Sequence, residues 1–310
     1  MKKYAIIVIF TIGILVCGCK ESTTNNGAVQ AAVEGIAIDE EHFPDKLFRD
    51  YIKKNIDVNS NGLLSQEEVL NTTMISIDKS NQEYNSIKDL KGIEIFSNLE
   101  KIYCIYTSLE RIDVSNNYKL NTLQLIDTEI SNVDLSRNIE LEDLICSSSN
   151  IKELDISNNA KLKYLDCSDT GILKLDVSKN TELFDLNCEG TSISTIDVTN
   201  LNKLYRLNVS DTKIVSLDVS SCTELKELII SGTNIDDIDI SSNELSLLNC
   251  NDCKSINKLD VSTQENLIEL SAQKTAITRI DITNCTKLVY LGCEPDIEII
   301  GLRRDVRVNV

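Results

Sequence analysis

The sequence predicts a mainly β protein, built as a solenoid of 21-residue coils with parallel sheets and a small N-terminal helical cap. Three observations predict this fold class. Apolar residues recur every 21 residues from about Leu99 to Ile297, and units of this kind bury their apolar face only against neighbouring units. The chain of 310 residues contains only 2 Pro and 11 Gly, so little interrupts regular structure. One segment before the repeats has helical spacing.

The first half of each coil reads L-x-x-L-x-(C/L)-x-x-T-x-I. Its alternation of apolar and variable positions predicts a short strand with one face in the core. The second leucine column consists of Ile102, Leu123, Leu144, Leu165, Leu186, Leu207, Leu228, Leu248, Leu270 and Leu291. Since no coil closes its core alone, we expect the coils to stack so that identical side chains lie above one another.

The second half of each coil reads I-x-x-L-D-V-S-x-N. Its apolar positions are two apart and rich in β-branched residues, which predicts a second short strand on the convex side. The aspartate column, from Asp113 to Asp281, should point outward. It has two possible roles, a ladder of cation ligands or acceptors for the backbone and for the Ser or Thr two residues on. Repetition in every coil favours the acceptor role.

An amide column follows, and we expect it to turn inward and bond the backbone of adjacent coils. It consists of Asn117, Asn138, Asn159, Asn180, Asn243 and Gln264. Between Ser241 and Ile256 the repeat slips by one place and is restored by Leu259. This slip predicts a local loop distortion, with a functional bulge as the alternative.

The segment before the repeats combines an amphipathic helix with a calcium-loop pattern. "DVNSNGLLSQEE" follows the helix and matches the EF-hand loop, including the glycine that allows its sharp turn. Two carboxylates and no second loop imply weak Ca²⁺ binding, about 0.1 to 1 mM. The alternative is a cap that kept this shape and lost the ion. The candidate ligands are Asp57, Asn59, Asn61, the carbonyl of Leu63, Ser65 and Glu68.

With these motifs, the chain resembles bacterial leucine-rich-repeat surface proteins of the internalin kind, which place an EF-hand-like helical cap before their repeats. The resemblance covers nearly everything after residue 35 and implies a protein-binding solenoid. It departs in detail, because those proteins typically use 22-residue repeats with a helical turn on the back, so a ligand cannot be inferred from it. The expected domains are a cap at 36–90, a solenoid at 91–297 and a C-terminal capping strand at 298–310.

The N-terminus has the features of an export signal. A basic start is followed by an apolar run, and that run is too short for a membrane span. The stretch from Val16 to Cys19 resembles a bacterial lipobox, which implies a lipoprotein signal peptide at 1–18, an acylated Cys19 as membrane anchor, and a flexible tether at 19–35. An ordinary secretory signal is the alternative. We therefore expect an exported, lipid-anchored protein exposed at the cell surface.

Charge and residue usage exclude several functions. The formal net charge of −18 argues against nucleic acid as a partner and favours cations or basic proteins. Most of the 11 cysteines recur in inward columns, where buried thiols act as small apolar residues. The pair Cys250 and Cys253 lacks a second pair or a nearby His, and no catalytic set forms around the single His42. We expect no enzyme activity.

The variable positions of the first strand form the candidate binding surface. Side chains that differ from coil to coil on a fixed scaffold are how repeat proteins present a selective face. We expect a protein partner on a host or neighbouring cell. The alternatives are a structural envelope lipoprotein without a ligand and a glycan-binding lipoprotein. The candidate protein-binding residues are Tyr103, Ile105, Tyr106, Ile126, Ile145, Tyr164, Asp166 and Arg206.

Overall fold

The computed structural model describes residues 35–78 and 82–310. The expected signal peptide, Cys19 and all of the tether except residue 35 lie outside the described residues. The helices are α1 (Lys46–Asn55) and α2 (Gln66–Asn71), with 3₁₀ turns at Gln82–Tyr84 and Ile93–Ile95. The cap and the first coils contain β1 (Ile36–Ala37), β2 (Leu63–Leu64), β3 (Met74–Ile77), β4 (Lys101–Ile105) and β5 (Thr122–Ile126).

The remaining strands follow at nearly regular intervals along the solenoid. They are β6 (Asp143–Ile145), β7 (Tyr164–Asp166), β8 (Asp185–Asn187), β9 (Arg206–Asn208), β10 (Glu227–Ile229), β11 (Leu247–Asn249), β12 (Glu269–Ser271), β13 (Arg279–Asp281), β14 (Tyr290–Gly292), β15 (Glu298–Ile300) and β16 (Arg307–Asn309). Neither helix in the described ranges is long and apolar enough to cross a membrane.

One parallel sheet runs along the described solenoid. From one edge to the other its order is β3 to β12, then β14 and β16. Leu165 pairs in register with Leu144 on one side and Leu186 on the other, and these leucines are at most 2 % exposed. The stacked 21-residue coil, and with it the predicted mainly β solenoid, is confirmed.

The convex side differs from the prediction of a second strand in every coil. In the described residues β13 and β15 are the only strands that pair there, in parallel, and an isolated bridge joins Asp89 and Arg111. In the other coils the apolar residues of the second half are still buried or nearly so. The aspartate between them accepts the N–H of the residue two places on, and a tight turn follows, as at Asp155 and Ser157. Asp281 in β13 makes the same bond to Thr283, so this bond alone does not decide where a convex strand forms.

Two columns have the structural roles expected of them. The aspartates accept from the backbone and often the hydroxyl two residues on, as Asp197 does from Thr199 at 3.0 and 2.6 Å. The amides point inward, where Asn159 Nδ2 donates to the carbonyls of Leu135 and Asn138 at 3.1 and 2.8 Å. Both sets of bonds recur from coil to coil, so they stabilise the stack and need no ligand.

The slip in the repeat is absorbed outside the sheet. Leu228 pairs with Leu248, a separation of 20 residues, and Leu248 pairs with Leu270, a separation of 22. One residue is lost before β11 and one is regained after it, so the leucine stack continues unbroken. This outcome is the local loop distortion that the sequence predicts.

The cap covers the β3 edge of the sheet. Asp45 caps α1 by accepting from the N–H groups of Leu47 and Phe48. Tyr51 of α1 accepts the N–H of Ser76 in β3 through its hydroxyl oxygen at 3.2 Å. Gly92 has φ 104°, and a Cβ there would lie 2.4 Å from the Phe43 ring. The expected helical cap therefore packs directly on the first strand.

The last residues form two strands. The expected capping strand at 298–310 contains β15, which pairs with β13 on the convex side, and β16, which extends the main sheet beside β14. Between them Arg303 donates to the carbonyls of Cys285 and Leu288, both at 2.7 Å. The guanidinium thereby ties the final turn to the coil beneath it.

Candidate functional site

Four of the predicted binding residues form a continuous surface at the start of the solenoid. Ile105 of β4 pairs with Ile126 of β5. Tyr103 of β4 and Ile145 of β6 both pair with Gln124 of β5, which lies between them. All four are half-buried on the outward face of the sheet. We call Tyr103, Ile105, Ile126 and Ile145 the apolar patch.

Tyr106 borders this patch in a conformation that favours glycine. Its φ is 58°, and the equivalent residues of the following coils are Asp127, Ser148, Asp169 and Gly190, all with positive φ. Small polar residues and glycine tolerate this left-handed region, whereas a bulky aromatic side chain is strained there. The Tyr106 side chain is 51 % exposed, so a strained aromatic residue stands at the edge of the candidate surface.

The other predicted residues lie further along the same face. Asp166 adjoins the apolar patch, because it pairs with Ile145. Tyr164 and Arg206 lie on either side of Asp185 in the row formed by the first residue of each strand. The structure thus brings all the predicted outward residues of the strands onto one face, in two groups rather than one.

Aromatic rings mark the second group. Tyr164 and Phe184 contact edge to face with centroids 6.0 Å apart, and Phe184 stacks on Tyr205 at 4.9 Å. Tyr164 is 47 % and Phe184 is 41 % exposed. We call these three residues the aromatic row. Rings that pack on one another while remaining this exposed form a ready contact surface.

Sequence reasoning included Tyr164 but missed Phe184 and Tyr205. Both lie directly after the first leucine of the repeat, at the edge of the strand, a position we did not assign to the binding face. The spacing of 21 residues between two aromatic residues was a usable signal, because coils of that length place them side by side.

The charges beside the aromatic row are unequally paired. Arg206 forms ion pairs with Asp185 at 3.2 Å and Glu227 at 3.4 Å. Asp143 has one buried carboxylate oxygen without a hydrogen-bond partner. Burial raises the pKa of Asp143, and a hydrogen bond from Gln124 and the charge of Lys101 offset only part of that effect. A carboxylate held in this way is unfavourable for folding.

The cap loop arranges the predicted calcium ligands around one short turn. The Asp57 carboxylate accepts the N–H groups of Asn61 at 3.2 Å and Gly62 at 2.9 Å. Glu68 accepts the N–H groups of Val58 and Ser65, each at 2.8 Å, and so joins the two ends of the loop. The loop strand β2 pairs with β1, which supplies the strand partner that a second loop would otherwise provide.

The predicted ligand atoms of this loop are oxygens, the atom type that a hard cation such as Ca²⁺ prefers. Burial raises the pKa of Glu68, but the hydrogen bonds from Ser65, Val58 and Asn59 outweigh it, so the pKa is lowered and the carboxylate is charged at neutral pH. No three His, Cys, Asp or Glu side chains converge anywhere in the described ranges. A calcium ion here would therefore depend on the amide, hydroxyl and carbonyl oxygens as well as on Asp57 and Glu68.

The cysteines belong to the core. The nine cysteines of the described residues are free and buried, as the sequence predicts. Cys167 and Cys188 stack in successive coils with their sulfurs 3.9 Å apart. Burial raises the pKa of Cys104 and Cys250 to about 12. Such thiols stay protonated and are poor nucleophiles and metal ligands.

Stacked coils, one parallel sheet and an N-terminal cap define a leucine-rich-repeat solenoid of internalin-like fold. The functional domain of InlJ from Listeria monocytogenes, described as including a cysteine ladder, is 27 % identical with a TM-score of 0.71, over 89 % of this chain and 64 % of that chain. The internalin InlF of the same organism is 18 % identical with a TM-score of 0.62, over 90 % and 98 % of the two chains.

A leucine-rich-repeat protein of Leptospira interrogans has the same fold, with 17 % identity and a TM-score of 0.62 over 69 % of this chain and 59 % of that chain. No protein-family profile matches the chain, and no curated protein sequence matches it. The chain spans 64 % of the InlJ structure. The similarities therefore show the fold and leave ligand and partner to the residues of this chain.

Proposed function

We propose that this protein is a membrane-anchored, surface-exposed module that binds a protein of a host or neighbouring cell through its concave sheet. The observation that carries the proposal is the apolar patch. Its four side chains are half-exposed on the outward face of the sheet, whereas the core of the solenoid is built from the inward columns. Apolar groups kept together on an otherwise variable face are the usual centre of a protein interface.

The charge of the molecule supports a partner with a basic face. The net charge is −18, so the surface repels phosphate backbones and attracts basic proteins over about a Debye length. We propose a binding role without catalysis, because the buried thiols and turn aspartates of the solenoid already serve the fold.

The test is a paired substitution in the patch. The variant Tyr103→Asp with Ile145→Asp places two charges where the interface would exclude water, and we expect it to lose at least about tenfold in affinity for cell-surface proteins captured by the wild-type protein. The measurement is cross-linking on intact cells followed by quantitative mass spectrometry.

The matched control is Ile229→Asp. Ile229 occupies the same outward column in β10, far from the patch. Thermal unfolding verifies that each variant is folded. Equal capture by wild type and patch variant would contradict the proposal and favour a structural envelope protein without a specific ligand.

The anchor is a separate proposal that rests on Cys19 in the sequence. We expect radiolabelled palmitate to enter the wild-type chain and not a Cys19→Ala variant, and we expect that variant to leave the membrane fraction. Membrane retention of an unlabelled Cys19→Ala protein would contradict the lipid anchor.

Calcium binding by the cap loop is also proposed, with Asp57, Asn59, Asn61, Ser65, Glu68 and the Leu63 carbonyl as ligands. A bound ion would neutralise the two carboxylates and hold the turn between α1 and α2. Titration calorimetry should give a dissociation constant of about 0.1 to 1 mM for the wild type. Glu68→Gln should abolish that heat, whereas Glu67→Gln, one residue away, should retain it. Equal heats from wild type and Glu68→Gln would remove the calcium site.

A further inference from the structure

The aromatic row is exposed for no reason that the fold supplies. The inward columns bury the core completely beneath it, since Leu165, Leu186 and Leu207 are at most 2 % exposed. Tyr164 and Phe184 extend from the opposite face of the same strands or from their edge. Their ring contacts fix both side chains in place, so little side-chain entropy is lost when a ligand packs on them.

The charges around the row are asymmetric in sign. Three neighbouring cations are in ion pairs, Lys163 with Glu142 at 2.9 Å, Arg206 with Asp185 at 3.2 Å, and Lys226 with Glu244 at 3.4 Å. Asp143 and Asp166 have no ion-pair partner among the described residues, although the charge of Lys101 acts on Asp143 and Ser168 donates to Asp166. Two carboxylates beside one lysine leave a net negative charge at this place.

Both unpaired carboxylates adjoin the exposed ring of Tyr164. Asp143 is its register partner in β6, and neighbouring strands lie about 4.8 Å apart. Asp166 is two residues further along β7, on the same face of the sheet. Oδ1 of Asp143 is buried without a hydrogen-bond partner, so a donor from outside can reach this carboxylate only at Oδ2.

We propose that Tyr164, Asp143 and Asp166 form a seat for an arginine side chain of the partner protein. This inference rests on the proposed function and specifies the chemistry of the partner. The planar guanidinium stacks on the Tyr164 ring, which Phe184 contacts edge to face, and donates to the two carboxylates. A neutral glycan would also stack on the rings, but it would leave both negative charges uncompensated.

The probe is the peptide acetyl-Gly-Arg-Gly-Arg-Gly-amide, titrated into the purified protein with isotope-labelled tyrosine and phenylalanine. We expect its resonance shifts to concentrate at Tyr164 and Phe184. Tyr164→Ala, and separately Asp143→Asn with Asp166→Asn, should each weaken binding by about tenfold. The same peptide with Glu in place of Arg should shift neither ring.

The chain contains a matched control pair. Glu269 and Tyr290 are register partners at the same two strand positions as Asp143 and Tyr164, and in the described residues Tyr290 has no aromatic contact. Glu269→Gln and Tyr290→Ala should leave the affinity of the arginine peptide within about twofold. Melting temperatures verify that every variant is folded.

Four outcomes would overturn the arginine seat, three in the titrations and one in the capture experiment. The first is no shift at Tyr164. The second is a peptide affinity that is equal in the site and control variants, which would mean diffuse attraction to an acidic surface. The third is that tri-N-acetylglucosamine shifts the rings and the arginine peptide does not. Loss of cell-surface capture in the patch variant, with full capture by Asp143→Asn and Asp166→Asn, would leave the proposed function intact and remove this inference alone.

Discussion

In the cap, each buried aromatic ring has its own surroundings, whereas in the solenoid the same few contacts recur in every coil. Phe48 lies 5.9 Å from Phe43 and 6.4 Å from Tyr51, in different orientations. Leu186, in contrast, lies between identical leucines in the coils on either side. A contact that occurs once in the cap has no equivalent elsewhere to limit its loss. When one coil of the solenoid is damaged, the coils on either side keep the same contacts. The comparison teaches that damage should spread differently in the two regions.

The largest effect should follow Phe48→Ala in the cap. Phe48 is fully buried, and its removal should lower the free energy of unfolding by about 3 to 5 kcal/mol, because the cavity disrupts several unlike contacts at once. Urea unfolding measures the change, and hydrogen exchange should show increased exchange through the whole cap. The control is Phe184→Ala at an exposed ring, expected to cost under about 1 kcal/mol. Similar losses in the two variants would contradict the cap's unique core.

Leu186→Ala should be somewhat less damaging. The buried side chain leaves a cavity worth about 2 to 4 kcal/mol, but intact coils remain on both sides. We expect increased hydrogen exchange in β7, β8 and β9 that declines along the array. Leu173→Ala, at a residue 62 % exposed, serves as the control. A uniform increase in hydrogen exchange throughout the solenoid would show that intact neighbouring coils do not limit the damage.

Asn159→Ala should have an intermediate effect. It removes two buried hydrogen bonds, a loss of about 2 kcal/mol, while the carbonyls of Leu135 and Asn138 each keep one backbone N–H. The matched control, Asn150→Ala, removes one exposed bond to Glu129 and should change stability by less than about 0.5 kcal/mol. Indistinguishable midpoints in urea would show that the amide column does not support the stack.

Acid should weaken the solenoid's turns by small increments. Hydrogen bonds from the Ser or Thr two residues on lower the pKa of Asp134, Asp155, Asp176, Asp197, Asp218, Asp239, Asp260 and Asp281 below 3.8. An acid with a lowered folded-state pKa contributes stability that is present above the unfolded value and is lost as the pH falls through the folded value. Asp143 and Asp185, whose pKa burial raises, act in the opposite sense.

Melting temperatures from about pH 5 to about pH 2.5 test this expectation. The variant with Asp155→Asn, Asp176→Asn and Asp197→Asn keeps an oxygen acceptor in each turn without its charge, so its decline with acid should be shallower than that of the wild type. Glu153→Gln, outside the turns, should follow the wild-type curve. Parallel curves for the triple variant and the wild type would contradict the role of these carboxylates.

The solenoid could be predicted from one sequence because the chain repeats the same information in each coil. A single Leu165 indicates little, but leucine or isoleucine at that place in every coil implies one stacked column. The turn aspartates and inward amides were predictable for the same reason. The prediction of a convex strand was wrong in most coils, because residue propensity does not show which extended segments pair with a neighbour. Asp155 and Asp281 make the same turn bond, but of the two only Asp281 lies in a paired strand.

The candidate surface was predictable only in part. Alternation along each strand placed Tyr103 and Ile145 outward, and the register of the sheet joins them into one patch. The contact between Tyr164 and Phe184 crosses from one column of the repeat to another, so reading down single columns misses it. The unsatisfied oxygen of Asp143 depends on atomic packing, and no pattern of residue types reveals it.

The pairing of β10, β11 and β12 at separations of 20 and 22 residues has a consequence for how this array can change length. Coils of other lengths keep the same register, since Ile75 pairs with Ile102 at a separation of 27 residues and Leu291 pairs with Val308 at a separation of 17. A change in length is therefore accommodated in the loops of the coil where it occurs, and adding or removing a whole 21-residue block needs no such adjustment. Duplicating or deleting one block would move the far end closer or further away while every column stays continuous, which makes the reach of the molecule adjustable in discrete steps.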